Sequence, residues 1–234
     1  MATLLLASCG QGQPDTGRVS TAGHDAFFLW AGVKPPPVLD RAKSVYVLAG
    51  EVRVGDNSRF VPLRPQPPRA SHAEVWLVLR VERIDWTPQV TAQLLREIAR
   101  WQAAGANLHG VQVDFDSATL HLDRYADFLQ QLRGDLPRGM RLSITGLMDW
   151  SAHGDPAALA RLGTIVDEIV VQTYQGRTTI PGYASYLASL SRLCLPYKVA
   201  LVDGGEWRAP RGLASDPHFK GYVVFLLPEG GRPG

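Results

Sequence analysis

The run Gly110-Val-Gln-Val-Asp-Phe-Asp116 decides how the rest of the chain is read. With a period of two, Gln112, Asp114 and Asp116 share one face of an extended strand, and Val111, Val113 and Phe115 share the other. An apolar row of this kind packs under helices, so the polar row points into the interior of a barrel. Two carboxylates one strand-step apart repel each other, which raises the pKa of one of them. One acid and one base made from chemically similar groups is what hydrolysis of a glycosidic bond requires. On spacing alone a plainer reading stays open, in which Asp116 caps the following loop and Asp114 pairs with an arginine such as Arg80.

Seven more apolar runs flank this one: Ala26–Trp30, Ser44–Ala49, Val75–Val81, Arg141–Leu147, Glu168–Tyr174, Lys198–Val202 and Gly221–Leu227. The eight recur roughly every 28 residues, about one strand and one crossover helix each. Most are rich in Val, Ile and Leu without clean alternation, as strands buried on both faces are. Between them lie helical stripes. Thr87-Pro88 is an N-cap and first-turn pair, followed by Val90, Leu94, Leu95, Ile98 and Trp101 at helical spacing. Leu122, Tyr125, Leu129 and Leu132 make a second stripe, Leu159 and Leu162 after Asp155-Pro156 a third, and Tyr186, Leu187, Leu190 and Leu193 a fourth. The Pro/Arg-rich stretch 56–70 has no helical period, so one crossover is expected to be irregular.

Eight such units predict an α/β fold of the (β/α)8 TIM-barrel type, which usually takes about 250 residues. An open doubly wound sheet would make Gly221–Leu227 an edge strand, and that run is too apolar for an edge. Only a few residues follow it in the 234, so the expected barrel either is minimal and lacks its eighth helix or has its C-terminus cut short.

Composition excludes several classes. Hydrophobic residues make up 45% and charged residues 20%, which rules out a mainly disordered chain. The net charge is +2 and the basic residues do not cluster, so no nucleic-acid partner is expected. Two cysteines cannot build a disulfide framework, and Cys194, inside an apolar helical pattern, reads as a small buried hydrophobe. No apolar stretch approaches the roughly 20 residues that span a bilayer. The N-terminus reads differently. Leu6-Ala7-Ser8-Cys9 has the order of a bacterial lipobox, and Gly10 to Gly23 is a polar tether rich in Gly, Gln, Thr and Ser. The alternative is a frayed apolar start, since the usual basic leader is missing. On the lipobox reading residues 1–9 are a signal remnant, 10–24 a tether and 25–234 one barrel domain. Membrane contact would then come only through a lipid on Cys9, and the protein would sit in the bacterial cell envelope, facing the periplasm.

In a barrel of this kind function gathers at the C-terminal ends of the strands. Trp30 ends the first run and Arg80 stands near the end of the third. The fifth run leads to Asp149 and Trp150, with Ser143, Thr145 and Asp149 in phase, and the sixth puts Gln172 and Tyr174 on one face. Aromatic rings around carboxylates suit a sugar cleft, because pyranose faces stack on flat rings. The expected partner is therefore an oligo- or polysaccharide. Asp203 is a further acid in the cleft or part of an Asp-Gly-Gly turn. The six histidines show no i, i+4 pair and no Cys/His spacing, and no Gly-rich phosphate loop or Gly-x-Ser-x-Gly follows a strand, so neither a metal nor another cofactor is expected.

Taken together, Gly110–Asp116, Leu142-Ser-Ile-Thr-Gly-Leu and Asp167-Glu-Ile-Val-Val-Gln-Thr-Tyr174 resemble a bacterial envelope family known as domain of unknown function 3142, over about 27–227. That resemblance implies a fold and no activity. More distantly, the fourth run is similar to the chitinase-like glycoside hydrolase family 18, whose motif is Asp-Gly-x-Asp-x-Asp-x-Glu. With Gly110 on its glycine, Gln112 and Asp114 fall on the two inner aspartates and Asp116 on the catalytic glutamate. Tyr174 matches that family's tyrosine at the sixth strand, which helps hold the substrate's acetamido group. The resemblance implies a glycosidase acting on an amino-sugar or exopolysaccharide chain, with Asp116 as general acid, Asp114 as its partner, and Gln112 and Tyr174 beside them; strand ends and parity add Gln172, Asp149, Trp150, Trp30 and Arg80 around the substrate. Two departures stand against turnover: Gln112 replaces an acid, and Asp116 is one methylene shorter than a glutamate. A saccharide-binding protein that has lost the acid is the alternative they leave.

Overall fold

The computed structural model describes residues 17–68, 72–116, 121–148, 150, 154–190 and 195–227. Cys9, Asp149 and Cys194 lie outside the described residues, so the expectations placed on them are not addressed by the fold.

Eight parallel strands close into a ring. They are β1 (Ala26–Leu29), β2 (Ser44–Val52), β4 (Glu74–Val81), β5 (Leu108–Asp114), β6 (Arg141–Leu147), β7 (Glu168–Gln172), β10 (Tyr197–Val202) and β11 (Phe219–Leu226). The ring runs β1-β2-β4-β5-β6-β7-β10-β11, and β1 pairs with both β2 and β11, which leaves no open edge between first and last strands. All eight expected runs are strands, and the protein is a (β/α)8 TIM-type barrel. The short β1 covers β2 only as far as Val47, and the two-residue antiparallel strand β3 (Val61–Pro62) takes up the same edge at Gly50 and Glu51.

The four helical stripes form helices: α1 (Pro88–Ala103), α2 (Leu122–Asp135), α3 (Pro156–Ile165) and α4 (Tyr183–Leu190). Two of them start on clear local signals. Extended Thr87 precedes Pro88, whose fixed φ suits a first turn and whose missing N–H costs nothing there. Asp155 accepts a hydrogen bond from the Ala158 amide at 3.0 Å and so caps α3. The irregular crossovers number three rather than the expected one. Besides β2 to β4, the links from β1 to β2 and from β10 to β11 hold only short 3-10 turns, Pro37–Arg41 and Leu213–Ser215. Pro35-Pro36-Pro37 removes successive backbone donors from the first link, and Gly204, Gly205, Pro210 and Gly212 punctuate the other.

Period two splits each strand between two cores. Outward residues such as Leu77, Leu79, Val111, Val113, Leu142, Ile144 and Ile169 join α1, α2 and α3 in the larger core. Inward residues Phe28, Tyr46, Leu48, Trp76, Val78, Val170, Ala200 and Val223 fill the barrel itself. Phe28, Tyr46 and Trp76 stack in series, with ring centroids 6.1 and 5.6 Å apart. The glycine of the β5 motif has a packing reason: a Cβ on Gly110 would lie 2.5 Å from the Trp76 ring and 2.7 Å from the Arg141 carbonyl oxygen. The indole occupies the place of the missing side chain, so the barrel is plugged at its lower end and open at the other.

Candidate functional site

The C-terminal ends of the strands surround a cleft of about 720 Å³. Trp30, Arg80, Asp114, Asp116, Gln172 and Tyr174 all line it, together with Thr145. These residues arrive from β1, β4, β5, β6 and β7, brought to one mouth by the in-phase registers Arg80↔Asp114 and Leu147↔Gln172.

Asp114 ends β5 at the base of the cleft. Its Oδ1 accepts a hydrogen bond from the Thr145 hydroxyl at 2.9 Å. Burial is the largest influence on this carboxyl and pushes its pKa from 3.8 up to about 6. The Thr145 hydrogen bond pulls against burial, the charge of Asp116 adds to the rise, and Arg80 opposes it. Asp114 therefore carries a proton part of the time near neutral pH. Asp116 lies just beyond the strand, exposed at the rim. Desolvation follows depth, and the raised carboxyl is the deeper Asp114.

Aromatic rings make the facing wall. Phe225 of β11 lies 5.3 Å from Tyr174, 5.6 Å from Trp30 and 5.8 Å from Phe28, centroid to centroid. Tyr174 sits in a two-residue hairpin, β8 (Tyr174–Gln175) with β9 (Thr178–Thr179), directly after β7. Its phenol is held neutral, with a pKa well above the ordinary value through burial and the nearby Asp114 charge. Gln172 donates to the Tyr174 carbonyl at 2.8 Å, so its amide fixes the hairpin.

Two expected cleft residues lie elsewhere. Gln112 is fully buried beneath the cleft floor, where it donates to the Ser143 hydroxyl at 3.0 Å. It faces inward as its parity requires, but one strand-step too deep to meet a ligand. Trp150 has turned to the outer side of β6: it packs in the larger core, 6.2 Å from the Tyr125 ring. Gly146 is bare for another neighbour: a Cβ there would lie 2.7 Å from the Ile169 side chain, while its distance to the indole, 3.6 Å, is an ordinary contact. Asp203 belongs to the turn reading, with Gly204 at φ 77 directly after it. Sequence reasoning missed Phe28, Phe225 and Arg177 in the cleft lining. Parity could have found the first two, since Phe28 is in phase with Trp30 and Phe225 with Val223. Arg177 at the hairpin tip carried no signal. Among the described residues no group of three or more His, Cys, Asp or Glu side chains could hold a metal ion.

Eight parallel strands around a cleft at their C-terminal ends define the class: a (β/α)8 barrel. The chain belongs to the family described as domain of unknown function (DUF3142), whose match covers residues 68–201, more than half of it. No curated protein sequence matches it. Among crystal structures it is similar to the chitinase domain of the spore coat protein CotE from Clostridium difficile, with TM-score 0.52 and 14% identity over 75% of this chain and 64% of that one. The xylanase and alpha-amylase inhibitor protein XAIP-II from Scadoxus multiflorus gives TM-score 0.54 and 11% identity over 86% and 93%. The chain spans only 50% of the spore cortex-lytic enzyme SleL from Bacillus cereus, at 17% identity and TM-score 0.47. At such identities the likeness is one of fold.

Proposed function

We propose that this protein is a glycoside hydrolase-like enzyme that binds a saccharide chain in the cleft and cleaves it with the Asp114/Asp116 pair. The single observation that supports this best is the Asp114 carboxyl, lifted to about 6 at the base of an aromatic-walled cleft with a second carboxylate at the rim. In this reading the two carboxyls act together, with Asp114 buried beneath and Asp116, at the mouth, the member that meets the glycosidic oxygen. The pair gives its proton to that oxygen as the C–O bond breaks and its electrons pass to the leaving group. Water then adds to the anomeric carbon and returns a proton to the pair. Trp30, Phe225 and Tyr174 supply apolar ring faces for the sugars. The place of action we propose is the bacterial envelope, with the chain tethered through a lipid on Cys9. Intact-mass measurement on membrane-extracted protein checks that tether, and an unmodified Met1 terminus overturns it.

Turnover of saccharides that bind is the test of the enzyme reading. Asp116→Asn is expected to cost about 10²–10⁴-fold in kcat while sparing affinity, and Asp114→Asn to harm both. Asp116→Glu lengthens the rim carboxyl by one methylene and is expected to raise turnover. Full activity in Asp116→Asn overturns the assignment. Gln112 gives a second reading its support, because an amide stands where the hydrolase motif has an acid. If the wild type binds glycans and cleaves none, the cleft is a saccharide-binding site without the reaction.

A further inference from the structure

Arg80 is the one cleft cation whose hydrogen-bonding groups have no acceptor among the described residues. Its guanidinium lies over the Trp30 ring, 5.5 Å from the centroid. It neighbours Asp114 in strand register, yet the two form neither an ion pair nor a hydrogen bond. Other arginines of this chain behave differently: Arg83 grips Asp85, Arg133 grips Asp167 and Arg161 grips Asp127, at 2.5–2.7 Å. The cleft's polar side chains are also partly spent on the protein itself. The Thr145 hydroxyl is given to Asp114 and the Gln172 amide to the Tyr174 carbonyl. Glu82, a further cleft carboxylate, accepts the Val54 amide at 2.8 Å.

A half-buried guanidinium resting over an indole with its donors unspent is a planar fork lining a 720 Å³ space. Such a fork matches a planar carboxylate with two parallel hydrogen bonds, a geometry that a hydroxyl cannot reproduce. Arg177, on the hairpin at the same cleft, adds a second positive charge to the lining. We infer that the cleft selects an acidic saccharide and that Arg80 receives the carboxylate of a uronic acid residue. This rests on the saccharide reading of the same cleft and names its substrate class. It also gives Trp30 a narrower task, since the ring face that carries Arg80 is not free to stack on a sugar.

The experiment is calorimetric binding of the whole chain to tetrasaccharides of galacturonate, glucuronate and mannuronate, each beside its methyl ester, with chitotetraose and cellotetraose as neutral references. The ester keeps the sugar and removes the charge. At least one free acid is expected to bind about tenfold tighter than its ester. Arg80→Gln is expected to erase that difference, and Arg80→Lys to keep only part of it, because an ammonium cannot form the fork. Thermal unfolding of both variants confirms that they fold. Esters that bind as tightly as acids overturn the inference, as does an acid preference that survives Arg80→Gln. Tight binding of the neutral references with no gain for the acids overturns this inference alone and leaves the saccharide cleft standing. Binding to none of the probes overturns both.

Discussion

Two carboxylates sit inside this barrel, one at each end, and their surroundings could hardly differ more. At the lower end Glu168 is fully engaged. Its Oε1 accepts the Tyr46 hydroxyl at 2.6 Å, its Oε2 meets the Lys198 ammonium at 2.9 Å, and Lys198 also donates to the Tyr46 oxygen at 2.9 Å. At the upper end Asp114 has, among the described residues, one hydrogen bond, from Thr145, and no ion pair. A buried charge that is paired and hydrogen-bonded closes the interior, whereas one left under-satisfied stays titratable. Both acids face inward on parallel strands, so strand parity does not separate them. Their partners do, and the partners come from distant parts of the chain: Tyr46 is 122 residues from Glu168. The lower end is built for closure and the upper end for chemistry.

Breaking the lower trio has the largest expected effect. Glu168→Ala strands Lys198 and Tyr46 in the interior and is expected to cost about 3–5 kcal/mol in urea unfolding. The comparison sharpens when the whole trio is replaced, as in Tyr46→Phe with Glu168→Leu and Lys198→Met. That triple variant is expected to be near neutral in stability, because no charge is left unpaired.

At the upper end the sign reverses. The Asp114 pKa is raised on folding, so the folded state binds the proton more tightly than the unfolded chain, and its ionisation destabilises the fold. The penalty is absent below about pH 4, grows through the window up to about 6, and is complete above it. Asp114→Asn is therefore expected to stabilise the protein at pH 7.5 by up to about 3 kcal/mol and to flatten stability between pH 4 and 6, measured by urea titration at each pH. Destabilisation at pH 7.5 would break the contrast between the two ends. The smallest effect belongs to the aromatic wall. Trp30→Ala removes the ring under Arg80 and one edge of the Phe225 cluster, and is expected to cost about 1 kcal/mol in saccharide affinity with little change in the pH dependence.

The Asp114 contrast also shows why some of the site was legible and some was not. The β5 motif carried parity, and parity gave the inward row Gln112, Asp114. It carried no depth. Gln112 and Asp114 look alike in sequence, yet one lies sealed on Ser143 and the other opens on the cleft. Depth along a tilted strand depends on the stagger between neighbours, which is a property of the closed ring. Trp150 teaches the same lesson from outside the barrel. Its position past the fifth strand suggested the rim, and the ring instead joins Tyr125 in the core outside the barrel.

What the sequence determined by itself is the repeat: eight Val/Ile/Leu-rich runs, four helical stripes between them, and one inward row of acids on the fourth run. These are local properties, set by period, capping and proline, and each holds wherever the segment finds itself. Only the tertiary structure decided that Arg80 rests on Trp30 without an acceptor, that Glu168 is neutralised by Lys198, and that burial lifts the proton affinity of Asp114. Those outcomes depend on which side chains the ring closure brings within a few ångströms and how much water it leaves between them. Desolvation and pairing are contact properties, and one such contact, Lys198 with Tyr46, joins residues 152 positions apart.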